Sequence, residues 1–393
     1  MDDLCTSMII LTPGGPSMRR RTLAAGAVAA TAVLLSAPAA TAAHAEPTPP
    51  PPPSASVTRQ APAGFDLVRP SADPVPLRYA PRDLDVTYTH DGRERTLDEY
   101  LAITGTQGFV VLDARSGQDI VFERYAFAAR DTRFQSWSMA KSFTSAAVGI
   151  ALDEGRIRSI DEPVTAYLPE LDGSGYAGVS IRDLLRMSSG IAWDEAVNVP
   201  PVHVAASIGA PLPEMAARQR RGWEPGSRFE YTSMNTFVLG WLVARATGTP
   251  YHRYVEERIW RPGGMESTVY LGNDSNGNNM AYCCYYATDR DFARFGLLYL
   301  RGGRANGRQV VPEAWVKEST RPSAPFNEGY GYQWWLGDDG EFEASGLGGQ
   351  KIWVSPEHDV VIVKSTLATI VGEDETDTAF RAVAAAVART RTP

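Results

Sequence analysis

Ser138 and Lys141 stand three residues apart at the head of an apolar run, and their pairing sets out the chemistry to look for. Phe143, Ala146, Ala147, Ile150 and Ala151 follow at helical spacing, and Gly155 marks a stop. Positions i and i+3 share a helix face, so the hydroxyl and the amine point the same way. A serine hydroxyl is a weak nucleophile until a base takes its proton. A lysine whose pKa is lowered by burial can be that base. Backbone N–H groups at a helix start can also receive charge that develops on an attacked carbonyl. The plainer reading is a helix cap and a solvated charge. Against it, only four of the 38 basic residues are lysine, and the flanks of Lys141 are apolar.

A second group lies in Glu224 to Asn235, where Tyr231 sits in a turn just before an apolar helix. A phenol held near a lysine ammonium would have a lowered pKa and act as general base, then as acid to the leaving group. Trp193-Asp194-Glu195 is expected on the rim of a cleft, able to read a substrate amine, or else as a loop with one packed aromatic. Other constellations are missing. There is no Gly-x-Ser-x-Gly elbow. The five histidines (44, 90, 203, 252, 358) have no metal-ligand spacing. Gly346 to Gly349 is too short for a dinucleotide fingerprint. No metal and no cofactor is expected.

The elements that must position these residues are legible in outline. Thr96–Thr104 reads as a short helix, and residues 108–112 and 119–123 as strands around a turn at 115–117. Helical patterns follow at 181–187, 236–247 and 288–300. Strands return at 350–354 and 360–366, and a helix closes the chain over 374–389. The expected fold is α+β: one antiparallel sheet built from both chain ends, flanked by helices, with a helical insertion lobe at about 161–293. The natural site is a cleft between the two.

The chain has 393 residues, is 44% hydrophobic and 21% charged, and carries a net charge of −8. That profile is globular, and no basic cluster in the body points to nucleic acid. Residues 1–45 have the layout of a secretory signal peptide: Arg19–Arg21, an apolar run from Leu23 to Leu35, and Ala43-His44-Ala45 before Glu46, with Met18 as an alternative start. A Pro-rich leader covers 46–60, and the body spans 61–393. The expected location is extracytoplasmic, with no membrane role beyond export. No pattern specifies an oligomeric state. Cys283 and Cys284 are expected as two buried thiols, since adjacent Cα atoms lie about 3.8 Å apart, short of the usual disulfide range of roughly 4.4–6.8 Å.

These pieces, in this order, resemble the serine beta-lactamase-like superfamily. That group includes class C beta-lactamases, D-alanyl-D-alanine peptidases, beta-lactamase-like esterases and 6-aminohexanoate-dimer hydrolases. The resemblance rests on Trp137 to Phe143, Asp153-Glu154-Gly155, Leu184 to Gly190, Pro225 to Ser233, Ala287 to Gly296 and Gly346 to Gln350. It covers about Gly108 to Thr366 and looks most like the 6-aminohexanoate-dimer hydrolase branch. It implies an acylated Ser138, Lys141 as its proton partner and Tyr231 as general base and acid. It also implies an oxyanion hole of the Ser138 and Gln350 backbone N–H groups beside Gly349.

Two departures stand out. Ser233 replaces the asparagine that many relatives have two residues after the tyrosine, the nearest asparagine being Asn235. Leu347 and Gly348 stand where a Lys or His usually precedes the glycines. A missing cation weakens carboxylate binding, so amide or small-ester hydrolysis ranks above lactamase activity. The alternative is a non-catalytic, penicillin-binding-like sensor that kept the fold, or simply a scaffold.

Overall fold

The structure, a computed structural model, describes residues 61–366 and 372–391. The signal peptide (1–45), the leader (46–60) and Cys5 lie outside the described residues.

Strands from both chain ends form the central sheet, as expected. Its seven strands run in the order Trp335–Leu336, Phe342–Ser345, Lys351–Ser355, Val360–Thr366, Thr106–Asp113, Asp119–Tyr125 and Arg78–Tyr79. Neighbours are antiparallel except the last, since Arg78–Tyr79 runs parallel to Asp119–Tyr125. The two middle strands are apolar without alternation because both of their faces are covered. Val110, Leu112, Val361 and Val363 point into the larger core, and Phe109, Val111, Val360 and Ile362 into the smaller. Phe380 of the closing helix Glu373–Arg389 plugs the smaller core between Tyr100, Phe109 and Trp353. On the other face, helix Asp289–Leu300 comes close because Gly296 has no side chain. A Cβ there would meet Val361 at 2.6 Å and Ile352 at 2.9 Å.

The helix Ala140–Asp153, which follows Ser138, is buried around its whole circumference from Ala140 to Ala151. Apart from Lys141, Ser142, Thr144 and Ser145 the stretch is apolar, and a helix with apolar residues all round is stable only in such a place. Phe143 fixes its rotation by stacking on Phe295 at 3.6 Å and on Tyr285 at 4.9 Å between ring centroids.

The stretch 161–293 is less helical than expected. It holds the helices Ile181–Leu185, Glu195–Ser207, Leu212–Ala217, Ser233–Thr247 and Tyr251–Val255, but also strands Val269–Gly272 and Tyr285–Ala287. These join Phe65–Val68 and Phe134–Gln135 in a second, four-stranded sheet. Strands of two to four residues are too short for a two-residue period to show.

Cys283 and Cys284 are not free thiols. They form a disulfide across Cα atoms 3.7 Å apart. Cys284 takes φ +72°, a left-handed turn that brings the two sulfurs to one side.

Candidate active site

Ser138 lies in a 3-10 turn, Trp137–Met139, that runs directly into the helix Ala140–Asp153. Trp137 sits at φ +43°, a conformation that a bulky residue adopts only where its surroundings enforce it. Strand Phe342–Ser345 packs on this turn, and Gly346 presses on the Ser136 carbonyl, where a Cβ would approach to 2.7 Å.

Lys141 is 1% exposed, and its Nζ donates to three acceptors. These are Ser138 Oγ at 2.9 Å, Ser233 Oγ at 2.9 Å and the Tyr282 carbonyl at 3.3 Å. Ser233 in turn donates its hydroxyl proton to Glu195 Oε1, and its N–H to Glu195 Oε2 at 2.9 Å. Trp193 Nε1 holds the same Oε2 at 2.6 Å. Burial brings the Lys141 pKa down to about 8, and the Glu195 charge opposes that shift.

Tyr231 stacks on Trp335 at 5.5 Å and meets Tyr330 edge-on at 6.2 Å. Lys141 Nζ lies over its ring face, 4.9 Å from the centroid. The expected lowering of the phenol pKa is reversed. Burial and then Glu195 push it up, and the Ser138 hydroxyl facing it offsets only part of this. An amine over the ring face, not beside the oxygen, cannot compensate for desolvation of a phenolate.

With this geometry in hand, the comparisons decide the family. The family model described as Beta-lactamase matches residues 93–387. The chain belongs to the beta-lactamase family. It is similar to the 6-aminohexanoate-dimer hydrolase of Paenarthrobacter ureafaciens, 33% identical over 298 residues, which is 68% of this chain and 74% of the relative. Among solved structures it is similar to the "Putative 6-aminohexanoate-dimer hydrolase from Bacillus anthracis". That match has a TM-score of 0.73 and 25% identity, over 83% of this chain and 90% of the other. A penicillin binding protein from Bacillus halodurans shares the fold, with TM-score 0.58 and 18% identity over 75% and 100% of the two chains. The family is thus one of beta-lactamase-like hydrolases.

In this beta-lactamase-family chain the remaining expected residues divide. Ser233 belongs to the site, as described. Asn235 does not: it is fully buried, and its Oδ1 accepts from the Tyr176 hydroxyl at 3.1 Å. It stands two residues on from the lysine-facing Ser233, about 200° round the helix, and so points to the other side. Trp193 is 6% exposed, so it is packed core and not rim, and its task is to hold Glu195. Asp194 caps the helix that Glu195 opens. Gly349, at φ +87°, makes the turn after Phe342–Ser345 possible. The Gln350 side chain is internal to that turn, accepting from Gly348 N at 3.0 Å and donating to the Thr366 carbonyl.

Leu347 is 78% exposed at the position of the missing cation. The next cation in sequence, Lys351, is buried and committed to Glu343 at 2.8 Å and to Glu373. Sequence reasoning missed Glu195 as the charge behind the relay. Its only signal was its place beside Trp193. It also missed His203, whose ring lies 5.8 Å from that of Trp137.

Proposed function

We propose that the chain is a serine hydrolase that cleaves an amide or a small ester through an acyl-Ser138 intermediate. One observation carries the reading, namely the direction of the hydrogen bonds around Lys141. The Ser233 proton goes to Glu195, so Ser233 Oγ can only accept from the lysine. The Tyr282 carbonyl can likewise only accept. Two amine hydrogens therefore have fixed destinations, and the lone pair of the neutral amine is left aimed at Ser138. Lys141 is the base for Ser138. Tyr231, kept as a neutral phenol, protonates the leaving nitrogen or oxygen. The Ser138 and Gln350 backbone N–H groups receive the oxyanion.

The substrate preference follows from the rim. Leu347 offers no charge to a carboxylate, and the half-buried Tyr231 and Trp335 offer flat apolar surface. Linear amides, such as the one that names the Paenarthrobacter relative, and small esters fit better than beta-lactams. Export through residues 1–45, with Met18 as an alternative start, is part of the proposal and rests on the sequence.

The test is hydrolysis of a p-nitrophenyl ester, a chromogenic cephalosporin and a linear 6-aminohexanoate dimer by wild type and Ser138→Ala, with a serine-directed probe mapped by mass spectrometry. Turnover and labelling at residue 138 in the wild type alone support the reading. Full turnover in Ser138→Ala overturns it. A persistent acyl adduct without turnover would support the sensor alternative, which Leu347 and Gly348 in place of a Lys or His favour.

A further inference from the structure

The proton relay uses Ser138, Lys141, Ser233, Glu195 and Tyr231, and leaves one chemical cluster at its flank unexplained. His203, Cys283 and Cys284 place their ligand atoms within 4.8 Å of one another. Cys283 Sγ faces His203 Nδ1 at 3.8 Å. Tetrahedral zinc with sulfur at about 2.3 Å and nitrogen at about 2.0 Å requires ligand atoms roughly 3.5 Å apart, so this separation suits a shared ion. The imidazole is held on two sides, by Trp137 at 5.8 Å and by the edge of Tyr282 at 6.5 Å. The imidazole is only half-buried, so solvent reaches it.

As a disulfide, the two sulfurs carry no charge and make poor ligands. We propose that Cys283, Cys284 and His203 form a dithiol-gated site for a thiophilic divalent cation such as Zn²⁺ or Cd²⁺. In the gating step a dithiol reductant passes two electrons and two protons to the pair. The Cys283–Cys284 bond breaks, two thiols form, and the reductant closes to its own disulfide. The cation then displaces both thiol protons, so two thiolates and a neutral imidazole leave the site without net charge.

The segment that carries the cysteines also grips the nucleophile. The Tyr282 carbonyl accepts from Lys141, Ser136 N donates to the Tyr285 carbonyl at 2.8 Å, and Tyr285 N donates to Ser136 Oγ at 3.2 Å.

The test uses the full chain carrying Cys5→Ser, which removes the only other cysteine of the three. The protein is reduced with dithiothreitol, freed of it without air, and titrated with Cd²⁺ while the thiolate-to-metal ultraviolet band and circular dichroism are followed. The expected result is saturation at one ion per folded chain, release of two protons, and no uptake by the oxidised form. His203→Ala should weaken binding at least tenfold, and Cys284→Ser should abolish it. Absence of stoichiometric uptake, unchanged affinity in His203→Ala, uptake by the oxidised chain, or unfolding on reduction would each overturn the proposal.

Discussion

Lys141 and Glu195 meet through a single hydroxyl. Ser233 Oγ accepts from the lysine at 2.9 Å and donates to the carboxylate, so a buried amine and a half-buried acid are joined without direct contact. The arrangement holds the lysine pKa down by burial and keeps it from falling further by charge. An amine with a pKa of about 8 is a usable base near neutral pH.

The first prediction concerns the pH profile. kcat/KM should rise with pH through about 8, as Lys141 loses its proton. Tyr231, pushed above the ordinary tyrosine range, should add no falling limb below about pH 10. In Glu195→Gln the charge that raises the lysine pKa is gone, so the rising limb should move to lower pH. A limb that stays put or moves up in the variant contradicts the coupling.

Removing members of the relay should be costly and non-additive. Lys141→Ala and Tyr231→Phe are each expected to lower kcat by roughly 10²–10⁴. The double variant should lose little more than the worse single one. Ser233→Ala should lose less, roughly tenfold to a hundredfold, because it orients the base without touching the substrate. Steady-state kinetics on whichever substrate the wild type prefers would check all four; additive losses would count against one concerted unit.

Gly346→Ala tests the joint between the sheet and the nucleophile. The new Cβ would stand 2.7 Å from the Ser136 carbonyl and 2.6 Å from Gln350 Oε1. The turn carrying Gly349 and Gln350 must retreat from Ser138, and the oxyanion donors with it. A fall in kcat of about tenfold or more, with KM little changed, is expected. A change confined to KM would place the turn in substrate binding instead.

Asp289 should write a signature into stability. It is fully buried, Ser365 donates to its Oδ1 at 2.5 Å, and Oδ2 has no hydrogen-bond partner among the described residues. Burial lifts its pKa to about 7. A carboxyl raised in the fold binds more protons there than in the unfolded chain. Stability is therefore full below about pH 4 and declines as pH rises towards 7, by at most about 4 kcal/mol. Asp289→Asn should flatten that decline in denaturant titrations between pH 4 and 8. An unchanged slope would mean the group titrates normally.

The sequence by itself determined the components of this protein. Ser138, Lys141 and Tyr231 were legible because a three-residue helical spacing and a turn before an apolar helix leave little freedom in where side chains point. The central sheet was legible because Thr106–Asp113 and Val360–Thr366 are long apolar runs whose burial on both faces shows directly in composition. Tertiary structure decided everything that depends on segments far apart in the chain. The second sheet assembles from strands that are individually too short to register. Glu195 becomes the partner of Ser233 across 38 residues, and His203 the neighbour of Cys283 across 80. The phenol and amine pKa values are set by what surrounds them, so proximity in the motif alone assigned Tyr231 the wrong direction. Adjacent cysteines look unlinkable until one φ angle turns positive. Local spacing fixes which groups share a face; desolvation and long-range contacts decide what those groups can do.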